Sequence, residues 1–290
     1  MANTIQKVQT YLPQILDEVY KKASITSVLD LANAYVRPVA GAKGTVQIPS
    51  IAFGSGLGDY SRSEGFKGNA VTLEWEAFNL TKDRGTKFNI DYVENDEALG
   101  TVMANLASEF LRTQVVPEID AIRFAAYSSA AATKLTGALT NDDIEDALEV
   151  AIATLADKEV SKDRLALFIS NSAYSALKQS VKARRDVVGL TVVNGITMYD
   201  DIPVYPAPQN RLHTAVTLNS AGGFTPAGSE INFLLMDKNS AIQVVNHVSN
   251  KLITPEQNQS FDGYTWWYRI FHDAFVPKNK KDGIYVHTKA

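Results

Sequence analysis

The amino-acid sequence predicts an α+β fold, and three observations carry that prediction. Apolar and polar residues alternate with a period of two at 44–53, at 70–80 and again after residue 241, the signature of half-buried strands. From 97 to 127 the apolar residues recur with a helical period over 31 residues, or about 46 Å of helix at 1.5 Å each. Between 137 and 240 helical and strand patterns alternate, as in a compact α/β unit. With 290 residues and 45% hydrophobic content, the chain can bury a substantial core in one large or two modest domains.

Residues 1–43 open with an amphipathic segment. Ile5, Val8, Leu12, Ile15, Leu16 and Val19 fall near a helical period, so one face needs a partner, either its own domain or a neighbouring subunit. "GTVQIPSIAF" (44–53) and "AVTLEWEAFNL" (70–80) read as strands, the second with Val71, Leu73, Trp75 and Ala77 on one side. Some seventeen residues rich in Gly, Ser, Asp and Arg lie between them, too many for a tight turn, which marks a functional loop. The long helix opens near Glu94, Asp96 and Glu97, acids that suit the positive end of a helix dipole. Its stripe is Leu99, Val102, Met103, Leu106, Phe110 and Leu111, and Pro117 must kink or interrupt it.

In the α/β section Asn141 is expected to cap a helix carrying Ile144, Leu148, Ile152 and Leu155 on one face. "RLALFIS" (164–170) reads as a short buried strand, and Ser170 or Asn171 caps a second helix. Two short strands flank Asp200 and Asp201. In the last section "AIQVVNHV" alternates and "SNKLITPE" is expected to break the strand. "GYTWWYRIFHDAFV" and "GIYVHTKA" then read as further strands.

Several classes of chemistry are disfavoured. A net charge of −4 does not suit a surface built to coat nucleic acid. The absence of cysteine removes disulfides, thiolate metal sites and a cysteine nucleophile. The N-terminal pattern is not that of a signal peptide, and no window approaches a membrane span, so a cytoplasm-like setting is expected. Gly54, Gly56 and Gly58 are spaced like the start of a phosphate loop, yet a strand follows them instead of the helix such a loop feeds. His213, His247, His272 and His287 are dispersed without metal-ligand spacing. No G-x-S-x-G elbow occurs, Asp142 and Asp143 suit a helix start, and "KARR" (182–185) suits a solvated helix end. No catalytic constellation, cofactor or metal is expected.

The stretch "TVQIPSIAFGSGLGDYSRSEGFKGNAVTLEWEAFNLTKDRGTKFNID" resembles the corresponding region of major capsid proteins from tailed bacteriophages. The resemblance is carried by Gly56 to Arg62, Gly65-Phe66, the strand Val71 to Glu76, and Asp83-Arg84-Gly85 leading to Asp91. The order of elements along essentially the whole chain resembles the Hong Kong 97-like capsid fold. That resemblance implies an N-terminal arm (1–43), an extended loop with base strands (44–91) and a spine helix opening the peripheral domain (92–136). An axial domain (137–240) and return strands completing the peripheral domain (241–290) would follow.

The implied function is structural and not enzymatic: a subunit that self-assembles into pentamers and hexamers of an icosahedral shell around double-stranded DNA. Gly54, Gly56, Gly58, Asp59, Tyr60, Arg62, Glu64, Phe66 and Lys67 would contact adjacent subunits, with Asp83 and Arg84 near the loop base. Glycines suit a loop that meets different local environments, since they turn the backbone at no steric cost. The implied partners are further copies of the chain, a portal protein and packaged DNA held by weak non-specific contact. A separate scaffolding protein is expected because no long scaffold-like helical extension precedes the arm. The implied setting is the virion, assembled in the host bacterial cytoplasm, with no membrane. Some relatives weld the loop to a neighbour by a Lys–Asn isopeptide bond; Lys67 and Asn250 or Asn258 occupy such regions without a marked catalytic Glu. An encapsulin-type compartment, and a hydrolase or binding protein on the 137–240 section, stay open as alternatives.

Overall fold

The computed structural model describes residues 18–20, 22–35, 37–38, 44–63, 65–92, 101–188 and 198–290. Ile5, Val8, Leu12, Ile15 and Leu16, the helix-opening acids Glu94, Asp96 and Glu97, Leu99 and the loop residue Glu64 lie outside them. A 3-10 segment (Thr26–Tyr35) precedes β1 (Arg37–Pro38), β2 (Thr45–Phe53), β3 (Val71–Asn79) and β4 (Lys82–Asp91). The spine follows as α1 (Thr101–Phe110), a π-helical turn (Leu111–Val115) and α2 (Val116–Ala130). Next come β5 (Thr133–Thr136), α3 (Asp143–Ala156), β6 (Leu165–Ser170), α4 (Asn171–Val188), β7 (Met198–Tyr199), β8 (Ile202–Ala207) and β9 (His213–Leu218). The chain closes with β10 (Phe224–Asp237), β11 (Ile242–Ile253), β12 (Gly263–Phe275) and β13 (Ile284–Thr288).

The strands form three sheets. One is the antiparallel set β1-β2-β3, one is β11-β12-β4, and a seven-stranded sheet runs β5-β13-β10-β6-β8-β7 with β9 on the first half of β10. β6 is buried along its whole length, because both sheet faces are covered. Ala166 and Phe168 face a core shared with Phe124 and Tyr127 of α2, whereas Leu165, Leu167 and Ile169 face Ile144 and Leu148 of α3. On its other side α2, with the π-turn residue Leu111, packs Val116 and Ile119 against Trp266, Tyr268 and Ile270 of β12. The spine is therefore buried between two sheets, which lets one helix fix their relative placement. Among the described residues no helix is long and apolar enough to cross a membrane.

The spine answers its proline without stopping. Pro117 sits in the first turn of α2, and Val115 and Val116 keep helical angles. The wider π-turn just before it takes up the irregularity that a residue without an N–H and with a bulky ring imposes.

Two local expectations are corrected. Asn141 does not cap α3; Asp142 holds that position without a side-chain bond, while the Asn141 amide donates to Gln179. "SNKLITPE" does not break the strand, because β12 pairs with β11 out to Ile253 and supplies the ladder that local propensity lacks. β5 and β13 join the sheet that holds β6, β8 and β10. Two other local expectations hold. Ser170 Oγ accepts from the Ala173 N–H at the start of α4, and Asp200 and Asp201, both at positive φ, turn β7 into β8.

Candidate functional site

The β2–β3 hairpin is the candidate site, because much of its outer face is exposed among the described residues. Its register runs from Thr45 opposite Asn79 to Phe53 opposite Val71, so residues 54–70 close a nine-residue ladder. One face anchors the base: Val46, Ile48 and Leu80 are buried with Ile242 and Val244, and Phe78 stacks on Phe275 at 4.9 Å. Gly44 makes the entry turn at φ +81°, where an added Cβ would lie 2.8 Å from the Phe271 ring. Only glycine fits there.

The opposite face is apolar and exposed. Pro49 pairs with Trp75, Ile51 with Leu73 and Phe53 with Val71, which places all six on one side. Ile51, Phe53, Val71 and Leu73 are each more than half exposed, and Leu57 and Phe66 at the tip almost wholly so. A contiguous apolar strip of this kind on a protruding hairpin is a surface meant to be covered.

The loop itself is folded. Gly54 N–H donates to Ala70 O at 2.8 Å, extending the ladder, and Asn69 Oδ1 accepts from Ser55 N–H at 2.9 Å. At the tip Ser61 and Gly65 exchange backbone hydrogen bonds, and the Tyr60 and Phe66 rings meet at 4.9 Å. Gly58 lets the Lys67 stem approach closely, since a Cβ there would sit 3.1 Å from Lys67 Cδ, whereas a Cβ at Gly56 would meet nothing. Asp59, Arg62 and Lys67 are exposed around this tip.

Asp83 and Arg84 are engaged within the chain. Arg269 donates to Asp83 from Nε (2.8 Å) and Nη2 (2.5 Å), and that hydrogen bonding holds the Asp83 carboxyl below its usual range. Arg84 turns inward, its Nε 2.7 Å and Nη2 3.1 Å from the two Glu118 oxygens, and it also donates to the carbonyls of Asn219 and Gly223. This one guanidinium ties β4 to the spine and to the β9–β10 turn. The Asn250 side chain accepts from the Trp266 indole, and Asn258 donates to Gly263 O and Thr265 Oγ1. The aromatic strand splits by parity: Trp266, Tyr268 and Ile270 are buried against the spine, and Trp267 and Arg269 point outward.

A buried polar socket went unnoticed in the sequence. Asp120 of α2 is wholly buried and accepts from Ser24 Oγ, Thr26 Oγ1, the Ile25 and Thr26 N–H groups and Arg211 Nη1. Arg123, equally buried, donates to Tyr20 Oη and Thr26 Oγ1. The signal was present: Glu118, Asp120 and Arg123 are charged residues within an apolar helix. The partners of Asp120 and Arg123 lie 91 to 103 residues away in sequence and that of Glu118 lies 34 away, and a single sequence cannot show such pairing. Among the described residues, no group of three or more His, Asp or Glu could hold a metal ion. His287 Nδ1 lies 3.1 Å from Asn232 Nδ2 in a structural contact.

No protein-family model matches the sequence, and no curated protein matches it. Solved structures do. The chain is similar to one in the capsid of cyanophage P-SCSP1u, with a TM-score of 0.65 and 13% identity over 89% of this chain and 87% of that one. It is similar to a chain of Gordonia phage Cozz at 0.64 and 10% identity, covering 92% and 86%. A virus-like particle from Pyrococcus furiosus matches at 0.55 and 13% identity, covering 94% and 96%. At such identities the likeness is one of fold: this chain has the α+β, Hong Kong 97-like capsid fold.

Proposed function

We propose that this protein is the structural subunit of an icosahedral bacteriophage head, assembling through pentamers and hexamers into a shell around double-stranded DNA. The observation that carries the reading is the apolar face of the β2–β3 hairpin, exposed on an otherwise well-packed fold that phage capsid chains share. Burying that strip takes further copies, and closed symmetric assembly does so without fibre growth. In this reading Gly54 to Lys67 form the clasp on adjacent subunits, with Asp59, Tyr60, Arg62, Glu64, Phe66 and Lys67 as its contacts. Asp83 and Arg84 stiffen its base from within. The sections 1–43, 44–91, 92–136, 137–240 and 241–290 serve as arm, extended loop, spine, axial domain and return strands. The chain carries no catalysis. A scaffolding protein, a portal and weakly held DNA complete the head, which assembles in the bacterial cytoplasm.

A second reading rests on the Pyrococcus furiosus particle, which matches over nearly the full length of both chains: a protein compartment enclosing cargo. Negative-stain microscopy of the purified chain, alone and with lysate of an infected host, separates the outcomes. Uniform shells, or tubes of the same wall thickness, support a shell subunit, and their diameter and contents divide phage head from compartment. A monomer under every condition, including crowding and added scaffold, would sink both.

A further inference from the structure

Two cavities of about 480 Å³ each adjoin at the π-helical turn of the spine, where Gln114 and the β9–β10 turn residue Gly223 line both. That size falls within the range of small-ligand pockets, about 300–1,000 Å³. Their chemistry differs. The first, between β4, β12 and the π-helical turn, is walled by Phe88, Phe110, Tyr268 and Ile270, and His272 lies among them. His272 is 1% exposed, and neither ring nitrogen has a hydrogen-bond partner among the described residues. The second is lined by Arg112, Asn210 and Arg211, and by no carboxylate among the described residues.

Both arginines of the second cavity keep donors to give. Arg211 binds Asp120 through Nη1 at 3.1 Å, whereas its buried Nε has no hydrogen-bond partner among the described residues. Arg112 pairs with Glu109 at 2.7 Å, but both side chains are more than half exposed, and a pair so open to water holds its arginine loosely. A guanidinium presents a fixed fork of N–H groups that matches a phosphate. In the first cavity the charges are already matched, because Arg84 and Glu118 pair at 2.7 Å on its wall. A neutral ring leaves that fork intact and stacks on the aromatic wall. The neutral imidazole of His272 offers one donor and one acceptor, which suits the polar edge of a base.

We propose that the two cavities together form a nucleotide site: the base enters the aromatic cavity beside His272, and its phosphate meets Arg112, Arg211 and Asn210 on the other side of Gln114. A phosphate by itself leaves the aromatic cavity unused, and an uncharged ring leaves the buried Arg211 Nε without an acceptor. The same chemistry comes from two sources, a free mononucleotide or an unpaired nucleotide of a nucleic-acid strand. The site lies within one chain, so it stands or falls apart from the shell reading.

Calorimetric titration of the purified full-length chain with adenosine monophosphate, adenosine and inorganic phosphate tests both halves. The monophosphate is expected to bind at least about tenfold more tightly than either part, because one ligand then joins both contacts. Arg112→Glu and Ser220→Trp alter exposed residues, the first in the cationic cavity and the second in the aromatic one. Each should weaken the monophosphate about tenfold or more while the melting temperature stays at the parent value. Lys251→Glu makes the same kind of charge reversal on β11, away from both cavities, and should leave binding unchanged. If Ser220→Trp does not fold, the comparison of monophosphate with phosphate decides the aromatic half. Single-stranded oligoadenylate binding as tightly as the monophosphate or more so assigns the site to a strand, and weaker binding assigns it to the free nucleotide. A monophosphate that binds no better than phosphate, double-stranded DNA that competes as well as the single strand, or binding that survives both variants, would overturn the proposal.

Discussion

Asp120→Ala is expected to cost about 3–5 kcal/mol of subunit stability. The carboxylate is fully buried and takes hydrogen bonds from Thr26 Oγ1 at 2.7 Å, Ser24 Oγ at 2.8 Å, Ile25 N–H at 3.1 Å, Thr26 N–H at 3.4 Å and Arg211 Nη1 at 3.1 Å. Each bond to a charged group contributes about 1.5–3 kcal/mol when removed singly. The five share one acceptor, so their losses overlap and do not sum. What stays behind is an Arg211 side chain only 15% exposed, without its counter-charge. Roughly 10 °C of melting temperature should go with it. Thermal unfolding followed by near-ultraviolet circular dichroism gives the global loss, and hydrogen exchange at the Ile25 and Thr26 amides reports the socket directly. If Asp120→Ala does not fold, Ser24→Ala and Thr26→Ala each remove part of the network and should show graded losses with faster exchange. A loss under about 1 kcal/mol, the level of a surface pair, or unchanged exchange at both amides, would refute the anchoring role.

Three further outcomes are expected. Burial, and after it the charge of Arg123, lowers the His272 imidazole to about 4. Its contribution to stability is whole above pH 6.5 and declines by about 1.4 kcal/mol per pH unit below that, levelling off near pH 4. His272→Phe should therefore lose less stability than the parent between pH 7 and 4.5 in urea titrations, and equal acid sensitivity would contradict the assignment. Gly263→Ala should cost more than about 2 kcal/mol, because its Cβ would fall 2.3 Å from Ile90 O in the neighbouring strand; wild-type stability would show that β12 and β4 can part there freely. Leu73→Asp, on the exposed hairpin face, should leave subunit melting within about 0.5 kcal/mol and abolish shells in the microscope. Normal shells from this variant would remove the hairpin face from assembly.

Much of the fold was legible because its elements are locally periodic. The two-residue alternation in 44–53 and 70–80 located both hairpin strands to the residue or nearly so, and the parity that grouped Val71, Leu73 and Trp75 holds in the structure. The candidate loop was legible as an overlong connection, but its internal order was not. The Asn69–Ser55 bridge and the Tyr60–Phe66 contact depend on the ladder closing first. Asp83 and Arg84 show the limit most clearly. Whether they face a neighbour or their own chain depended on Arg269 and Glu118, 186 residues from Asp83 and 34 from Arg84.

Sequence periodicity by itself determined the kinds and order of the elements, since helix and strand each write their spacing into neighbouring residues. It also marked the connection between the two hairpin strands as too long for a tight turn. Only the tertiary structure decided which strands share a sheet, how β10 divides its length between β9 and the strands β6 and β13, and that Asp120 receives the segment around Ser24–Thr26. Those choices are made by contacts between residues distant in sequence, whose energies are settled by burial and charge pairing in the assembled core.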